Sequence, residues 1–369
     1  MLSPVSLVPS VLSHASIAGV EYTSDHGTKP RSPRLNDHTP LLPGKLPPAV
    51  LAGILELAGP PPPELIVPPA LGEDSAVLSL PGGLIAVGAD PITFPTPLPG
   101  HFAVCVNAND LAVTGARPEY FTLTVLLPEG ATAGQARDIV AQAVATGREL
   151  GAVLIGGHTE ITTAVTVPVL AVTMFGHLVR PTPLRTAGAC PGDRIIQVNP
   201  YALEGTAILA SDRAEQLAGQ VSPEDLVEAC ALLADPGICV VEPALMVAER
   251  PGVHAMHDPT EGGIATGLRE MAEGAGLGAR VERGALLELA VTGRICAPLG
   301  IDPLGLISSG CLLMAVAPED ADWVCRTLTT AGYPAADIGG FTAAQDMVLS
   351  QNGTVGDFPV FAVDELAAK

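Results

Sequence analysis

The segment from residue 257 to 268, HDPTEGGIATGL, constrains the fold more than any other part of the chain. Residues 252–256 precede it and predict a strand that leads into the segment. The adjacent Gly262 and Gly263 permit a sharp backbone turn, because glycine adopts positive φ angles without strain. The residues that follow predict a helix over 263–274. A strand, a glycine turn and a helix in immediate succession are typical of folds that mix strands and helices.

The same segment carries the groups of a metal–phosphate site. Asp258 and Thr260 present side-chain oxygens, and Gly262 and Gly263 let a ligand approach the backbone closely. The start of the helix offers free N–H groups and the positive end of the helix dipole, both of which favour an anion. An ordinary capped helix start has the same composition, so both interpretations stay open from this segment alone.

The composition limits the partners of the chain. Its 369 residues are enough for two domains, and 48% of them are hydrophobic, so a sizeable core is available. The formal net charge of −21 and the pI of about 4.6 disfavour nucleic acid and anionic membranes as partners. A nucleotide remains compatible with this charge, because metal ions bridge carboxylates and phosphates.

The cysteines and the lack of a long apolar run predict a cytoplasmic protein. No two of the seven cysteines form a C-x-x-C pair, and their odd number argues against a disulfide framework. No uninterrupted apolar run reaches the roughly 18–20 residues needed to span a bilayer. No Lys or Arg precedes Lys29, so the start of the sequence lacks the basic region of a signal peptide.

Composition along the chain predicts two domains and two flanking segments. Residues 1–45 lack periodicity and are expected to form a disordered extension. A stretch rich in Pro and Gly at 181–193 predicts a linker, which divides the remainder into domains at 46–180 and 190–350. Residues 351–369 are expected to be a tail. Both domains mix predicted strands and helices, which indicates an α+β, or mixed α/β, class.

Hydrophobic periodicity and β-branched content assign most of the elements. Helices are predicted at 46–59, 101–116, 131–150, 204–212, 223–234, 240–249, 263–274 and 318–332. Strands are predicted at 84–90, 120–129, 153–160, 165–179, 194–199, 252–256, 311–317, 334–341 and 346–350. Within these strands, Gly156 and Gly157 predict a turn, and Pro168 predicts an edge strand or a bulge.

Three further segments place an acid beside Gly, Asn or Thr. They are GEDSAVL with Asp74, GADPITF with Asp90, and NANDLAVTGARP with Asp110. Asp110 is the most informative, because it lies in an otherwise apolar helical run where an unpaired carboxylate is costly to bury. A metal ion or a cationic partner would offset that cost. A helix-capping or ion-paired acid is the alternative interpretation of each segment.

In their order along the chain, these motifs resemble the aminoimidazole ribonucleotide (AIR) synthetase, or PurM-like, superfamily over about residues 46–350. The motifs are GEDSAVL, GAD, NDLAVTGARP, GGHTE, EGTAILASD and DPTEGGIATG, and they are most similar to the hydrogenase-maturation, HypE-like branch. The resemblance implies an N-terminal domain whose sheet pairs with that of a second subunit to form a barrel, and a C-terminal domain of sheet and helices. It also implies ATP and Mg²⁺ in a long cleft and phosphorylation of a small-molecule substrate.

The resemblance gives roles to individual residues. The carboxylates expected to bind metal are Asp74, Asp110 and Asp258, with Asp90 and Glu160 in support. The residues expected to contact the nucleotide are Asn109, Gly205, Thr206, Thr260, Gly262 and Gly263. For Gly205 and Thr206, a helix N-cap without a phosphate is the alternative. For Ser308, Ser309 and Gly310, contact with nucleotide or substrate and a simple tight turn are both open.

Two departures from the relatives narrow the expected function. His158 of GGHTE occupies a position where relatives commonly carry Asp or Glu, and histidine is a poorer Mg²⁺ ligand than a carboxylate. Glu160 would substitute if strand alternation keeps it on the same face, while a structural role for His158 is the alternative. The sequence ends VDELAAK, whereas the cyanide-forming relatives end in a cysteine, so cyanide formation is not expected.

The expected function is ATP- and Mg²⁺-dependent phosphoryl transfer, or dehydration driven by phosphorylation, on an unidentified small molecule by a cytoplasmic homodimer. Phosphoryl transfer relies mainly on positioning and charge, so no general base is assigned. The alternative is a non-catalytic paralogue that binds nucleotide and acts as a regulatory or maturation scaffold. A third interpretation is a metabolite-binding domain without a nucleotide.

Overall fold

The computed structural model describes residues 48–55, 60–70, 72–94 and 96–367. The predicted extension at 1–45 lies outside these described residues. Within them the chain forms two β-sheets with helices packed between and beside the sheets, which confirms the predicted mixed α/β class. No single described helix has the length and apolar character to cross a bilayer, and one pair bent by 41°, Pro223–Gly237 with Val241–Val247, meets those criteria only jointly.

The elements alternate between strands and helices along the chain. The strands are β1 (Leu65–Val67), β2 (Ala76–Leu80), β3 (Gly83–Ile92), β4 (Tyr120–Leu127), β5 (Val153–Ile161), β6 (Val169–His177), β7 (Arg194–Val198), β8 (Val253–His257), β9 (Gly278–Glu282), β10 (Leu312–Val316), β11 (Ala335–Thr342), β12 (Met347–Gln351) and β13 (Thr354–Asp357). The α-helices are α1 (Pro48–Leu55), α2 (Pro99–Val113), α3 (Ala133–Leu150), α4 (Leu203–Asp212), α5 (Ala214–Leu217), α6 (Pro223–Ala231), α7 (Val241–Val247), α8 (Gly263–Gly274), α9 (Ala290–Leu299) and α10 (Pro318–Thr330).

The first sheet has the strand order β1-β2-β3-β6-β4-β5. Strands β4 and β5 run parallel and are connected through α3, because two parallel strands need a long crossover. Helix α3 begins with a capping box between Thr132 and Gln135 and ends at Gly151, whose φ of 80° suits a left-handed cap. These local signals explain why the sequence alone located this helix.

The second sheet has the strand order β13-β12-β9-β11-β7-β10-β8. Strand β10 lies between β7 and β8, and all five of its residues are buried. One apolar cluster combines the inner face of the first sheet, α2 and α7 with residues such as Ile196 and Met314. A second cluster combines α4, α8 and α9 with Ile195 and Leu313. The second sheet is therefore covered by apolar side chains on both faces.

Helix α2 connects the two halves of the chain. All of its residues except His101 and Val106 are buried. The Asn109 side chain donates to the Ile238 carbonyl and accepts from the Val240 N–H, both at 2.8 Å. This amide therefore ties the first half of the chain to the segment that precedes α7.

Several predicted elements differ from those in the structure. Strand β5 continues through Gly156 and Gly157, so the predicted turn there is wrong. A Cβ on Gly157 would lie 2.0 Å from the Leu123 carbonyl oxygen, so the glycine permits close strand contact rather than a turn. Pro168 immediately precedes β6, which is a central strand and not the predicted edge. The predicted tail includes β13, which extends the second sheet.

Candidate functional site

The segment that carries the Gly-Gly pair connects β8 to α8, as the sequence predicts. Strand β8 ends at His257, and α8 begins at Gly263 after an N-cap at Gly262 with φ of 80°. Gly263 has φ of 67°, and a Cβ there would lie 2.4 Å from the Leu304 carbonyl oxygen. Both glycines are therefore required by the backbone path as well as by any ligand.

His257 lies between two carboxylates and forms what we call the His257 triad, composed of Asp74, His257 and Glu270. Its Nδ1 is 3.0 Å from Asp74 Oδ2, and its Nε2 is 2.9 Å from Glu270 Oε2. Thr186 Oγ1 donates to the same Asp74 oxygen at 3.2 Å. The triad therefore connects the segment before β2 with the start of the Gly-Gly segment and with α8, and Thr186 joins the linker to it.

The electrostatic environment of the triad keeps His257 protonated. Burial by itself lowers the pKa of this imidazole, because a charge is poorly solvated in the protein interior. The nearby charges and hydrogen bonds of Asp74 and Glu270 outweigh burial and raise the pKa to about 10. At neutral pH the triad therefore contains its own cation, and both ring nitrogens act as donors.

Two groups of side chains among the described residues converge closely enough to hold a metal ion. In the first, ligand atoms of Asp74, His257 and Asp258 lie within 4.8 Å of one another. The two aspartates supply carboxylate oxygens, which are the donors that Mg²⁺ prefers, whereas a protonated His257 is not a ligand. The donor set thus fits Mg²⁺ through its carboxylates. The second group is Cys190, Asp193 and His254.

Two further predicted metal ligands of the first half, Asp110 and Asp90, lie on α2 and on the neighbouring strand β3. Asp110 is buried on this helix, and its backbone carbonyl accepts from Ser75 Oγ at 3.2 Å. That bond places the Asp110 turn next to the segment of Asp74. Asp90 lies on β3, where its backbone N–H donates to Asn107 Oδ1 at 2.8 Å and its carbonyl accepts from Asn107 Nδ2. Asn107 therefore fixes the backbone of Asp90.

A cavity of about 290 Å³ lies where β3 and α2 meet the starts of α4 and α8. We call it the acid-lined cavity, because three of its lining residues are acids and no lining residue is basic. It is lined by Asp90, Pro91, Ile92, Thr93, Phe94, Phe102, Val106, Glu204, Thr260, Glu261, Ile307 and Ser309. Three residues that the sequence singled out, Asp90, Thr260 and Ser309, therefore meet in one cavity.

Glu204 is the most buried acid of this cavity. It is 2% exposed, and its Oε2 has no hydrogen-bond partner among the described residues. Burial raises the pKa of Glu204 to about 7, the hydroxyl of Ser309 lowers it in part, and the charges of Asp364 and Glu261 raise it further. The carboxyl group is thus held in an environment that disfavours its charge.

Several predicted phosphate donors form hydrogen bonds within the protein. The Gly205 N–H donates to the Ile307 carbonyl at 3.2 Å, and Thr206 Oγ1 donates to the Ala202 carbonyl at 2.6 Å. A Cβ on Gly205 would lie 2.3 Å from Leu306 Cγ, which indicates that close packing requires this glycine. Gly205 and Thr206 therefore have structural partners that the sequence did not indicate.

The N–H groups of the two glycines at the start of α8 also donate hydrogen bonds within the protein. The Gly263 N–H donates to the Thr260 carbonyl at 3.1 Å, and the Gly262 N–H donates to Asp364 Oδ2 at 2.7 Å. Asp364 belongs to the segment after β13, so the end of the described chain reaches the start of α8. Burial raises the pKa of Asp364 to about 6, although the N–H groups of Leu366 and Gly262 partly counteract this effect.

His158 and Glu160 do not join the other predicted site residues within one chain. Both side chains are exposed on β5, and His158 Nε2 is 3.2 Å from Glu160 Oε2. Strand β5 is the far edge of the first sheet, three strands away from Asp90 on β3. The structure therefore pairs the two side chains with each other rather than with Asp74 or Asp258.

The sequence predicts no role for His257, Glu270, Glu204 or Asp364. Only one local signal could have identified a member of this group: His257 and Glu270 are 13 residues apart, on either side of the Gly-Gly pair. Asp74 is 183 residues from His257, and no local pattern predicts that contact. Glu204 directly precedes the Gly205 that was selected instead.

Two domain models of one protein family match most of the described chain. The model of AIR synthase related protein, N-terminal domain, matches residues 72–178, and that of the C-terminal domain matches residues 190–351. Carbamoyl dehydratase HypE of Cupriavidus necator is 30% identical in an alignment of 276 residues that covers 71% of this chain and 74% of that protein.

Solved structures give the same result for the fold. The crystal structure of a HypE–HypF complex superposes with a TM-score of 0.70 at 21% identity, and covers 84% of this chain and 99% of that chain. The structure of HypE in complex with ATP superposes with a TM-score of 0.67 at 23% identity, and covers 88% and 98% of the two chains.

Proposed function

Because the chain belongs to the AIR synthase related, PurM-like family and to its HypE-like branch, we propose that it binds ATP with Mg²⁺ and phosphorylates a small molecule. The product would be either a phosphorylated compound or, after loss of the phosphate, a dehydrated one. The HypE structure with bound ATP supports nucleotide binding by the same fold. A cytoplasmic homodimer is part of this proposal.

One observation carries the proposal: carboxylates that are distant in sequence meet beside the Gly-Gly helix start. Asp74 and Asp258 present ligand atoms within 4.8 Å of each other, and Asp258 is 3% exposed. Carboxylate oxygens that converge within this distance are the donors that Mg²⁺ prefers, so the arrangement supports a bound divalent cation at this place.

The side chains around the acids have positioning roles in this proposal. Mg²⁺ held by Asp74 and Asp258, with Asp90 and Asp110 nearby, would neutralise negative charge on the phosphates. His257 and Thr186 bind one oxygen of Asp74 and thereby fix the direction of the carboxylate. Thr260 and Gly262 flank the start of α8, where a phosphate would benefit from the helix dipole once Asp364 is displaced.

The exposed face of the first sheet supports a homodimer. Strand β5 is an edge strand, and its Val153, Ile155 and Ile161 are 56%, 54% and 53% exposed. Exposed apolar edge strands are rare in monomers, since they template pairing with another chain. Glu160 lies on this strand, so it would contribute to a metal site only from the second subunit.

A nucleotide-binding scaffold without turnover is the second candidate. The observation in its favour is that Gly205, Thr206 and Gly262 direct their donors to groups of the protein itself. The HypE–HypF complex also supports a role in an assembly for this fold. Such a scaffold would bind ATP but would release no ADP with any acceptor.

Calorimetric titration of ATP with Mg²⁺ into the purified protein tests the proposal. We expect binding that requires the metal and that weakens at least about tenfold in Asp258→Asn and in Asp110→Asn, a loss of about 1.4 kcal/mol. Asp138→Asn removes an exposed acid of α3 and is the matched control, for which unchanged affinity is expected.

The outcomes separate the candidates. Lack of ATP binding by the folded wild type would remove the phosphoryl-transfer function. Binding that is equal in all variants would remove the assignment of the acids. ATP binding without ADP release, with every acceptor in a screen, would favour the nucleotide-binding scaffold over the phosphoryl-transfer enzyme.

A further inference from the structure

A second group of converging side chains lies where the linker enters the second sheet, and we call it the Cys190 cluster, composed of Cys190, Asp193 and His254. We propose that it binds a Zn²⁺ ion through the thiolate, the carboxylate and the imidazole. Ligand atoms of these three side chains lie within 4.8 Å of one another. The cluster shares no residue with the proposed nucleotide site, so the inference goes beyond the proposed function and does not depend on it.

A tight turn places Cys190 and Asp193 side by side. The Asp193 N–H donates to the Cys190 carbonyl at 3.1 Å and closes a four-residue turn with Pro191 and Gly192 at its centre. Proline at the first central position and a positive φ at the second, 96° for Gly192, are the features of a type II turn. The Cys190 N–H donates to Asp193 Oδ2 at 2.8 Å, so the carboxylate points back toward the cysteine.

The turn is also anchored to the second sheet. The Gly192 N–H donates to the Phe341 carbonyl at 3.0 Å, and the Phe341 N–H donates to the Asp193 carbonyl at 2.9 Å. Asp193 is 3% exposed and directly precedes β7. Two of the three ligands are therefore held in place by the backbone, which lowers the ordering cost of binding an ion.

His254 reaches the turn because β8 is irregular at this residue. Val253 and Ala255, on either side of it, pair with consecutive residues of β10, so His254 is the extra residue of a β-bulge. A bulge of this kind redirects the side chain of the inserted residue. The imidazole Nδ1 lies 3.0 Å from Asp193 Oδ1 and 2.9 Å from Asp193 Oδ2. Zinc bonds to nitrogen and oxygen of about 2.0–2.2 Å place two ligands of one ion roughly 3–3.5 Å apart, which is close to this spacing.

The three donors suit zinc rather than magnesium. Thiolate and imidazole are preferred ligands of Zn²⁺, whereas Mg²⁺ prefers oxygen. Desolvation and the charge of Asp193 raise the pKa of the Cys190 thiol, and Cys190 Sγ donates to the Gly188 carbonyl at 3.8 Å. A divalent ion favours the thiolate and displaces this proton. Three protein ligands leave the fourth position of a tetrahedral site open, and Cys190 is exposed to solvent.

The alternative is an ion pair between His254 and Asp193 without a metal. The thiol takes no part in that pair, so a variant of Cys190 separates the two interpretations. Cys230, on α6, is also an exposed cysteine, and Cys230→Ser is the matched control for Cys190→Ser.

The test is a titration of the chelator-treated full chain with Co²⁺ at pH 7.5, because a bond between Co²⁺ and a thiolate gives a near-ultraviolet charge-transfer band. We expect the band in the wild type and in Cys230→Ser, and its loss in Cys190→Ser. His254→Gln and Asp193→Asn should bind Co²⁺ at least about tenfold more weakly. Zn²⁺ should abolish the band by displacing Co²⁺, whereas excess Mg²⁺ should not. Zn²⁺ should also raise the midpoint of thermal unfolding of the wild type and not that of Cys190→Ser.

Three results would overturn the inference: a wild type without the band, a band that persists in Cys190→Ser, or unchanged affinity in His254→Gln. Thermal unfolding without metal establishes that each variant is folded. Cys190 is exposed, so Cys190→Ser decides the question even where a variant of the buried Asp193 fails to fold.

The same protein separates this inference from the proposed function. Asp258→Asn lies outside the Cys190 cluster and should keep the Co²⁺ band while it weakens the binding of ATP with Mg²⁺. A wild type that binds ATP but shows no band loses only the zinc site. A wild type that shows the band but does not bind ATP loses the phosphoryl-transfer function, and the zinc site remains supported.

Discussion

The His257 triad and the acid-lined cavity both use the segment that begins at His257, yet only the triad contains its own cation. In the triad a protonated imidazole lies between Asp74 and Glu270, and its pKa rises to about 10. In the cavity, burial raises the pKa of Glu204 to about 7 and nearby acids add to the effect. Desolvation disfavours the charged form in both clusters, and only the triad holds counter-charges that outweigh it.

Pairing accounts for this difference. Desolvation disfavours the charge of every buried group, and only a counter-charge at hydrogen-bond distance reverses the effect. Because the triad is complete within one chain, it holds the Asp74 carboxylate in place without a ligand. The Glu204 carboxyl has the hydroxyl of Ser309 beside it but no counter-charge, so burial determines the direction of its pKa shift.

Removing the cation of the triad is expected to have the largest effect. In His257→Gln the half-buried carboxylates of Asp74 and Glu270 each lose an ion pair with a buried cation, and a loss of about 3 kcal/mol in the free energy of unfolding is expected at pH 6. The folded pKa of His257 is raised, so its stabilisation is complete below the unfolded value of 6.5 and is lost as the pH rises through about 10. Urea unfolding at pH 6, 8 and 10 measures this change.

The control for this variant is His177→Gln. His177 pairs with Glu119 at 2.8 Å, but its side chain is 47% exposed, so less than about 1 kcal/mol is expected. Equal losses in the two variants, or a loss in His257→Gln that does not shrink toward pH 10, would contradict the buried cation.

The opposite sign is expected for the acid of the cavity. Glu204→Gln removes a carboxylate whose pKa is raised from 4.5 to about 7, so it should stabilise the ligand-free protein by about 2–3 kcal/mol at pH 8. A raised folded pKa means that the contribution of Glu204 to stability is complete below pH 4.5 and is lost as the pH rises through about 7. The gain should therefore vanish near pH 4.5.

Thermal or urea unfolding of Glu204→Gln beside Glu215→Gln measures this effect. Glu215 is exposed on α5, so its variant should change stability by less than about 0.5 kcal/mol. A destabilised Glu204→Gln at pH 8 would mean that the carboxylate has a counter-charge and that the contrast with the triad is wrong.

The smallest effect is expected for Asp364, whose carboxylate accepts a hydrogen bond from the Gly262 N–H between the two clusters. Asp364→Ala frees the Gly262 N–H from a 2.7 Å hydrogen bond, so faster amide exchange at Gly262 is expected. The free energy of unfolding should change by less than about 1 kcal/mol, because repulsion from Glu261 and Glu365 is relieved at the same time. Asp357→Ala, an exposed residue of β13, is the control, and unchanged exchange at Gly262 in Asp364→Ala would contradict the docking of this segment.

Local signals predicted much of the fold. Helix α8 has the predicted bounds, Gly263–Gly274, because a glycine turn and helical periodicity mark them directly. Strand order was not predictable in the same way. Pro168 suggested an edge or a bulge, but β6 begins one residue later, lies between β3 and β4 and pairs with both in an unbroken register. Which strands become neighbours depends on contacts across the whole sheet, and no window of sequence contains that information.

The site was predicted in part for a similar reason. The segment with Asp258 and the Gly-Gly pair was found from its own composition, whereas the role of His257 depends on Asp74, 183 residues away. At the start of α4, the sequence favoured Gly205 and Thr206 over Glu204. Successive residues of a helix point about 100° apart, so Glu204 reaches the cavity while its two neighbours are packed against other parts of the protein.

Strand β10 has a consequence for how the protein unfolds. Its five buried residues belong alternately to the cluster shared with the first sheet and to the cluster beneath α8. Each of the two predicted domains, 46–180 and 190–350, therefore loses part of its core when the other unfolds. We expect one cooperative unfolding transition, seen identically by a probe in either half, and separate expression of residues 46–180 should yield an aggregating fragment rather than a small folded domain.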